Sequence, residues 1–515
     1  MFLYNTLTEK KEELTQPTNG PLNMFVCGPT VYDTPHIGNG RTYVLYDMFA
    51  RYLRSQKWDI FYLQNITDID DKIIARARED DVKPDVLAKK FEKIYHANET
   101  ALGIHGVTKY ARATAYIPEI VKQVQTLIAK GHAYKIEGDP PTGQAGGYYF
   151  DISTFSDYGK LAKRTALQAE DAVTRIDESV KKRNKGDFVL WKLPQTRTNA
   201  DLNADQRGKP ETRMDADSNA DGRGTDTKKY PMKITDGEPL WNTPLGWGRP
   251  GWHIEDTAIT ESFFGPQYDL HGGALDLKFP HHEAEIAQQE AASGKKPLVR
   301  YWMHAGFLLV NGEKMSKSKG NFISIEDFLR AHSPLTFRYM VASHHYRSPM
   351  DYTEKLVAQT EGAIRGVREF FARLGLITAT GSRVKPGMTN DALLLSNDLA
   401  AAEKNFLAAL DDDFNTPEAL AALFSLIGRY EKEIWKLSNA DAKTLAGMLK
   451  KLFAMLGIEF KPEKIPANVA SLTKKREALR AKKDFSGADA LRKTIEGLGY
   501  KVEDTTLGPL VLRDD

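Results

Sequence analysis

The sequence holds one cysteine, Cys27, among 515 residues, so no disulfide can form within the chain. A chain that cannot crosslink itself suits a reducing compartment, and its lone thiol becomes a candidate for metal or thiol chemistry. Long apolar runs are also missing. No stretch approaches the ~18–20 consecutive apolar residues that a membrane-spanning helix needs. The start, Met1-Phe2-Leu3-Tyr4-Asn5-Thr6, lacks the basic and apolar regions of a secretory signal, so a cytoplasmic location is expected. Neither sign of charge is in excess: 71 basic and 69 acidic residues leave a net charge of +2. Overall charge therefore neither requires nor excludes a nucleic-acid partner, which local patches would have to hold. Apolar residues are 41% and charged residues 27% of the chain, which excludes collagen-like and wholly disordered classes. At ~100–200 residues per domain the length implies several domains.

Near the N-terminus the pattern is strand, helix, strand. Met24-Phe25-Val26-Cys27 stops at Gly28-Pro29, and a helix is expected from Thr34-Pro35, where Thr suits the N-cap and Pro the first helical position. Leu45, Met48, Phe49, Tyr52 and Leu53 fall on one helical stripe, and Asp59 to Leu63 forms the next strand. Such a unit argues for a parallel sheet with helices on its faces. Further on, Pro118 to Lys130 is an amphipathic helix, a helix runs from His281 to Ala292, and Asn311-Gly312 signals a hairpin turn. From Gln195 to about Lys229 almost nothing is apolar, as in a disordered insertion. After about residue 322 the pattern is helical, with a basic helix from Leu472 to Gly497 and a strand pair ending near Arg513.

Two constellations carry chemistry. Pro35-His36-Ile37-Gly38-Asn39 lies at a helix start, where free N–H groups and the helix dipole can receive phosphate. Lys314-Met315-Ser316-Lys317-Ser318-Lys319-Gly320-Asn321 could clamp a triphosphate and neutralise charge on departing pyrophosphate. Alone, the first also reads as an ordinary helix start and the second as a solvated basic loop. In this order on a nucleotide-binding sheet, they resemble the HIGH and KMSKS motifs of class I aminoacyl-tRNA synthetases, with the last histidine of HIGH replaced by Asn39. Cys27 to Asp33, Asn65 to Lys72, Gly248 to Glu255, Phe279-Pro280-His281-His282-Glu283 and Asp411 to Pro417 narrow the resemblance to cysteinyl-tRNA synthetases. It covers nearly the whole chain except the insertion.

The resemblance implies ATP-dependent activation of cysteine to cysteinyl-adenylate and transfer to the 3′ end of tRNA(Cys), by a monomer, with Mg2+ accompanying ATP. It implies an α/β fold. Residues 1–104 and 236–321 would form a Rossmann-like catalytic domain, 105–194 an inserted connective subdomain and 195–235 the low-complexity insertion. Residues 322–352 would be a stem-contact region, 353–460 a helical anticodon-stem-binding bundle and 461–515 a small mixed anticodon-binding domain. Zn2+ would bind the substrate thiolate, its protein ligands falling on Cys27, position 256, His281 and Glu285, with Asp256 where the family has a second cysteine. Asp for cysteine keeps the formal charge of the ligand shell but replaces a soft donor by a hard one. Carried over likewise are Thr30, His36, Gly38, Asn39, Lys314, Ser316 and Lys317 at ATP, and Cys27, Thr67, Trp252 and Asp276 at the amino acid. His36, Asn39, Lys314 and Lys317 are the expected catalytic groups. Lys474, Lys475, Arg476 and Arg480 are expected on tRNA phosphates. Two alternatives stay open: a paralogue joining cysteine to a small amine, and a catalytically weakened tRNA-binding paralogue.

Overall fold

The computed structural model describes residues 1–138, 146–164, 182–194, 229–380 and 389–513. The chain divides into two units. One comprises residues 1–309, 313–331 and 346–350, the other 310–312, 332–345 and 351–515.

The first unit is built on a parallel sheet of β1 (Leu22–Val26), β2 (Ile60–Ile66), β3 (Lys109–Arg112), β4 (Tyr268–Ala274) and β5 (Val299–Ala305), ordered β5-β4-β1-β2-β3. Leu22, Met24, Phe25 and Val26 of β1 are all buried, as a strand covered on both faces requires. The chain leaves β1 through α1 (Ile37–Ser55) toward β2 and β3, then returns to place β4 on the other flank of β1. This reversal of strand order opens a crevice beyond the carboxyl ends of β1 and β4, the ligand position of open α/β sheets.

The stripe expected on α1 is buried throughout. Its start differs from expectation: His36, not Thr34, is the N-cap. The His36 Nδ1 accepts from the Asn39 N–H (3.2 Å), and the Asn39 Oδ1 accepts from the His36 N–H (3.1 Å). This reciprocal pair satisfies two orphan donors where a threonine cap would satisfy one.

A second sheet is antiparallel. Its strands run in the order Ala133–Ile136, Gly147–Phe150, Phe188–Lys192, Gly246–Pro250, Glu238–Thr243, Met232–Thr235. Three expected boundaries shift accordingly. Lys109–Arg112 belongs to the parallel sheet, and residues 238–250 belong to the inserted subdomain. Met232–Thr235, expected in the disordered insertion, is a strand, because its backbone pairs with Glu238–Trp241. The rest of that insertion, 195–228, lies outside the described residues. Phe25, Leu63, Ile120, Phe150, Leu190, Ile254 and Trp302 share one continuous apolar cluster, so both sheets rest on one core.

The second unit is helical: Pro334–Ala342, Glu354–Thr380, Thr389–Asp411, Thr416–Glu431, Asn439–Met455, Ala467–Ala481 and Phe485–Glu496, then a hairpin of Tyr500–Thr505 and Gly508–Arg513. The single basic helix expected over 472–497 is two helices, parted where Lys483 takes a positive φ of 63°. No described helix is long and apolar enough to cross a membrane.

Candidate active site and metal centre

Beyond the end of β1, the Cys27 thiol sits buried between α2 (Trp252–Phe264) and α3 (His281–Ser293), two helices packed on each other. The Sγ lies 3.3 Å from Asp256 Oδ2 and 3.4 Å from His281 Nε2. His281 Nε2 is 3.0 Å from Asp256 Oδ2 and 3.2 Å from Glu285 Oε1. His281 and Glu285 are four residues apart on α3 and so share a face. All four side chains are at most 4% exposed.

Burial and the charges of Asp256 and Glu285 push the Cys27 thiol well above its usual range. Burial and Asp256 do the same to Glu285. Neither oxygen of Glu285 has a well-formed hydrogen bond. Three acidic groups and an imidazole nitrogen thus face one another, the donor chemistry that fits a divalent metal. Cys27, Asp256 and His281 could hold a metal, with Glu285 beside them.

The surrounding contacts hold these donors in place. His281 Nδ1 meets His253 Nδ1 at 2.7 Å, which leaves Nε2 free to act as the ligand atom if the Nδ1 carries the hydrogen. The Trp252 ring stacks on His281 at 4.1 Å between centroids and 11° between planes. Asn65 Nδ2 donates to Asp256 Oδ1 at 2.6 Å, and its Oδ1 accepts from the Gly28 N–H at 2.5 Å. A Cβ on Gly28 would lie 1.8 Å from the Asn65 carbonyl oxygen, so this approach requires glycine. Thr67 donates to the buried Glu255 at 3.0 Å.

A second assembly is a backbone seam. The Ile37 N–H donates to the Ile323 carbonyl (3.0 Å) and the Ile325 N–H to the Pro35 carbonyl (3.0 Å). The helix start bearing His36, Gly38 and Asn39 is therefore stitched to the segment that ends the lysine-rich loop. Met315 Cε is 3.9 Å from where a Gly38 Cβ would stand, and such a Cβ would strike the His36 ring at 2.8 Å. Burial lowers the His36 pKa, with Asp276 partly opposing it. The neutral ring accepts at Nδ1 and so presents Nε2–H as a donor. In the loop, Lys317 pairs with Asp33, Lys319 with Glu313, and Lys314 lies over the Phe307 ring. Ser316 accepts from the Lys319 N–H.

A family profile described as the class I (C) tRNA synthetase catalytic domain matches residues 13–215 and 200–362, and the DALR domain matches residues 405–461. A cysteine–tRNA ligase of Coxiella burnetii (strain Dugway 5J108-111) is 38% identical over 99% of both chains. One of Thermococcus gammatolerans is 37% identical over 98% of both. The chain belongs to the cysteine–tRNA ligase family. Among solved structures, methionyl-tRNA synthetase of Mycobacterium tuberculosis with methionyl-adenylate shares the fold at a TM-score of 0.57 and 15% identity, covering 85% of this chain and 90% of that one. A leucyl-tRNA synthetase complex of Agrobacterium radiobacter does so at 0.57 and 12%, over 86% of each. As a class I aminoacyl-tRNA synthetase fold, the parallel sheet agrees with the expected fold class.

For a cysteine–tRNA ligase, the expected site residues fall into two groups. Cys27, Thr67, Trp252, Asp256, His281 and Glu285 converge in one cluster, Thr67 through Asn65 and Trp252 through its stack on His281. Thr30, His36, Gly38, Asn39, Lys314, Ser316 and Lys317 gather along the seam, Thr30 bridging to Thr67 in parallel fashion. Asp276 is exposed on the turn Leu275–Lys278, near enough for its charge to act on His36. Arg476 departs from expectation. Its side chain is fully buried, donating to Asp504 at 2.7 and 2.8 Å, so it is a structural residue rather than a phosphate contact. Arg480 also faces Asp504, at 3.3 Å, whereas Lys474 and Lys475 are exposed.

Sequence reasoning missed His253, Asn65 and a buried histidine chain. His282 Nδ1 meets His304 Nε2 at 2.9 Å, and His271 Nδ1 lies 3.6 Å from Glu285 Oε2. The signal was present: α3 reads His-His-Glu-Ala-Glu and is buried nearly all round, which an ordinary polar helix is not.

Proposed function

We propose that this chain charges tRNA with cysteine in two steps. The cysteine carboxylate attacks the α-phosphorus of ATP, pyrophosphate leaves, and cysteinyl-adenylate forms. A hydroxyl of the tRNA 3′-terminal adenosine then attacks the activated carbonyl, and AMP leaves. No protein nucleophile is needed; rate comes from positioning and from charge placed where it develops.

His36 Nε2–H, the Asn39 amide and the first N–H groups of α1 would receive the phosphates, with Gly38 leaving room and Thr30 and Ser316 nearby. Lys314 and Lys317 would meet departing pyrophosphate, for which Lys317 must leave Asp33; Mg2+ enters as the ATP complex. Trp252 would close over the amino acid, Asp276 would pair with its ammonium and Thr67 would line the pocket. Cys27, Asp256, His281 and Glu285 would hold Zn2+, which supplies a sulfur-preferring ligand position. Packing alone separates a thiol from a hydroxyl poorly, so that preference would carry cysteine specificity. Lys474 and Lys475 would contact tRNA phosphates, and the chain would act as a monomer.

The observation that carries this reading is the convergence of Cys27, Asp256, His281 and Glu285 on one pocket, in a chain that is 37–38% identical to cysteine–tRNA ligases over nearly its full length. The match of residues 405–461 to the DALR domain disfavours a small-amine ligase, which needs no such part. ATP–pyrophosphate exchange with a panel of amino acids, followed by charging of total tRNA, tests the reading. Exchange with cysteine and charging are expected. Exchange without charging would indicate the small-amine paralogue, and no exchange with any amino acid would remove the enzyme assignment.

A further inference from the structure

We infer that Asn65 fixes Asp256 as a one-oxygen metal ligand, a positioning role that a cysteine at position 256 would not call for. The inference rests on the metal reading above.

Asn65 is the next-to-last residue of β2 and is 1% exposed. Its amide has one workable orientation. The Gly28 N–H needs an acceptor, so Oδ1 turns toward it at 2.5 Å. Nδ2 must then face the other way, and it donates to Asp256 Oδ1 at 2.6 Å and to Thr67 Oγ1 at 3.3 Å. The flipped amide would set an N–H against an N–H and an oxygen against a carboxylate. With Oδ1 engaged, Asp256 presents Oδ2 toward Cys27 Sγ and His281 Nε2. The short Asn65 bond holds Oδ1 on the side away from those two donors.

A cysteine ligand offers one sulfur and has no second atom to restrain. An aspartate offers two oxygens and can close on a metal through one or both. Holding one keeps the number of donor atoms the same and leaves room at the metal for a substrate thiol. Outer contacts of this kind typically change metal affinity 10–100-fold.

The test is a double-variant cycle on the full chain: wild type, Asn65→Ala, Asp256→Cys and both together. Zn2+ affinity is read by competition with a chromophoric chelator, and Co2+-loaded protein is read by visible absorption. Asn65→Ala should weaken Zn2+ binding 10–100-fold in the wild-type background and less than threefold in the Asp256→Cys background. Its Co2+ form should absorb more weakly, because an aspartate closing through both oxygens raises the coordination number. Equal losses in both backgrounds would show that Asn65 acts through the Gly28 loop and would overturn the inference, as would unchanged affinity in the wild-type background. Wild type that binds neither metal would instead overturn the metal reading. If Asn65→Ala does not fold, Asn65→Ser runs the same cycle, since its hydroxyl ends one bond short of both Gly28 and Asp256 but leaves a polar group and room for a water at the buried Gly28 N–H.

Discussion

Asn39 can be separated into two jobs. Its Oδ1 holds the His36 N–H at the head of α1, and its Nδ2 has no hydrogen-bond partner among the described residues, which leaves it a donor for the proposed phosphate contact. Asn39→Ala removes both. Loss of the cap should cost about 0.5–1 kcal/mol of stability. Loss of a donor to a charged group should cost about 1.5–3 kcal/mol in the adenylation transition state, roughly a 10- to 150-fold fall in rate. Asn39→His behaves differently. A neutral ring can accept from the His36 N–H at one nitrogen and donate outward from the other, whereas a protonated ring donates from both and gives up the cap bond. The neutral ring keeps the cap and the outward donor, and the protonated ring exchanges the cap for about 1 kcal/mol of charge-assisted bonding, so exchange should stay level or rise up to about fivefold. The assays are ATP–pyrophosphate exchange at saturating cysteine and the urea midpoint of each variant. If Asn39→Ala loses stability yet exchanges within twofold of wild type, Asn39 is a cap and nothing more. If Asn39→His loses tenfold or more, the pocket is fitted to the amide and the charge argument fails.

Other perturbations test separate parts. Stripping metal with a chelator should lower the unfolding temperature, and restoring Zn2+ to 100 times its dissociation constant should return about 2.7 kcal/mol; an unchanged melt would mean that no metal is bound. Trp252→Ala removes the ring stacked on His281 and should raise the KM for cysteine about 3- to 10-fold while metal content, measured by elemental analysis, stays constant. Arg476→Ala should destabilise the second unit by about 1–3 kcal/mol in denaturant, because Asp504 loses two charge-assisted hydrogen bonds and keeps only the longer Arg480 contact. Lys474→Ala and Lys475→Ala should leave that transition in place but each flatten the salt dependence of tRNA binding by about 0.7–0.9 in log–log slope. The carboxylates of Glu92, 3.8 Å away, and Glu99, hydrogen-bonded at 3.0 Å, raise the His96 pKa to about 9. A group raised in the folded state stabilises fully below its unfolded value near 6.5 and loses that contribution as pH climbs through 9. His96→Gln should therefore flatten the stability profile between those pH values, and an unaltered slope would refute the assignment.

What the sequence disclosed followed from periodicity and from linear motifs. The α1 stripe, the α3 helix closed by Gly294 and the terminal hairpin are local patterns, and all three stand in the structure. What stayed hidden depended on contacts between distant residues. Arg476 reads as a surface cation in a basic run, and Asp504, 28 residues away, is what takes it out of solvent. His253 and Asn65 looked like incidental members of motifs because their partners, His281 and Asp256, come from other elements. The His36 cap was missed because Thr34-Pro35 is the stronger local signal, and the reciprocal bond with Asn39 outcompeted it.

The stitching of Pro35 and Ile37 to Ile323 and Ile325 has a mechanical consequence. The loop is tethered at its trailing end, and at its leading end Glu313–Lys314 is held in a strand, so a swing would fall to Met315–Gly320, like a flap held at both margins. Motion of that flap would be transmitted straight into the first turn of α1 and could not be lost in slack chain.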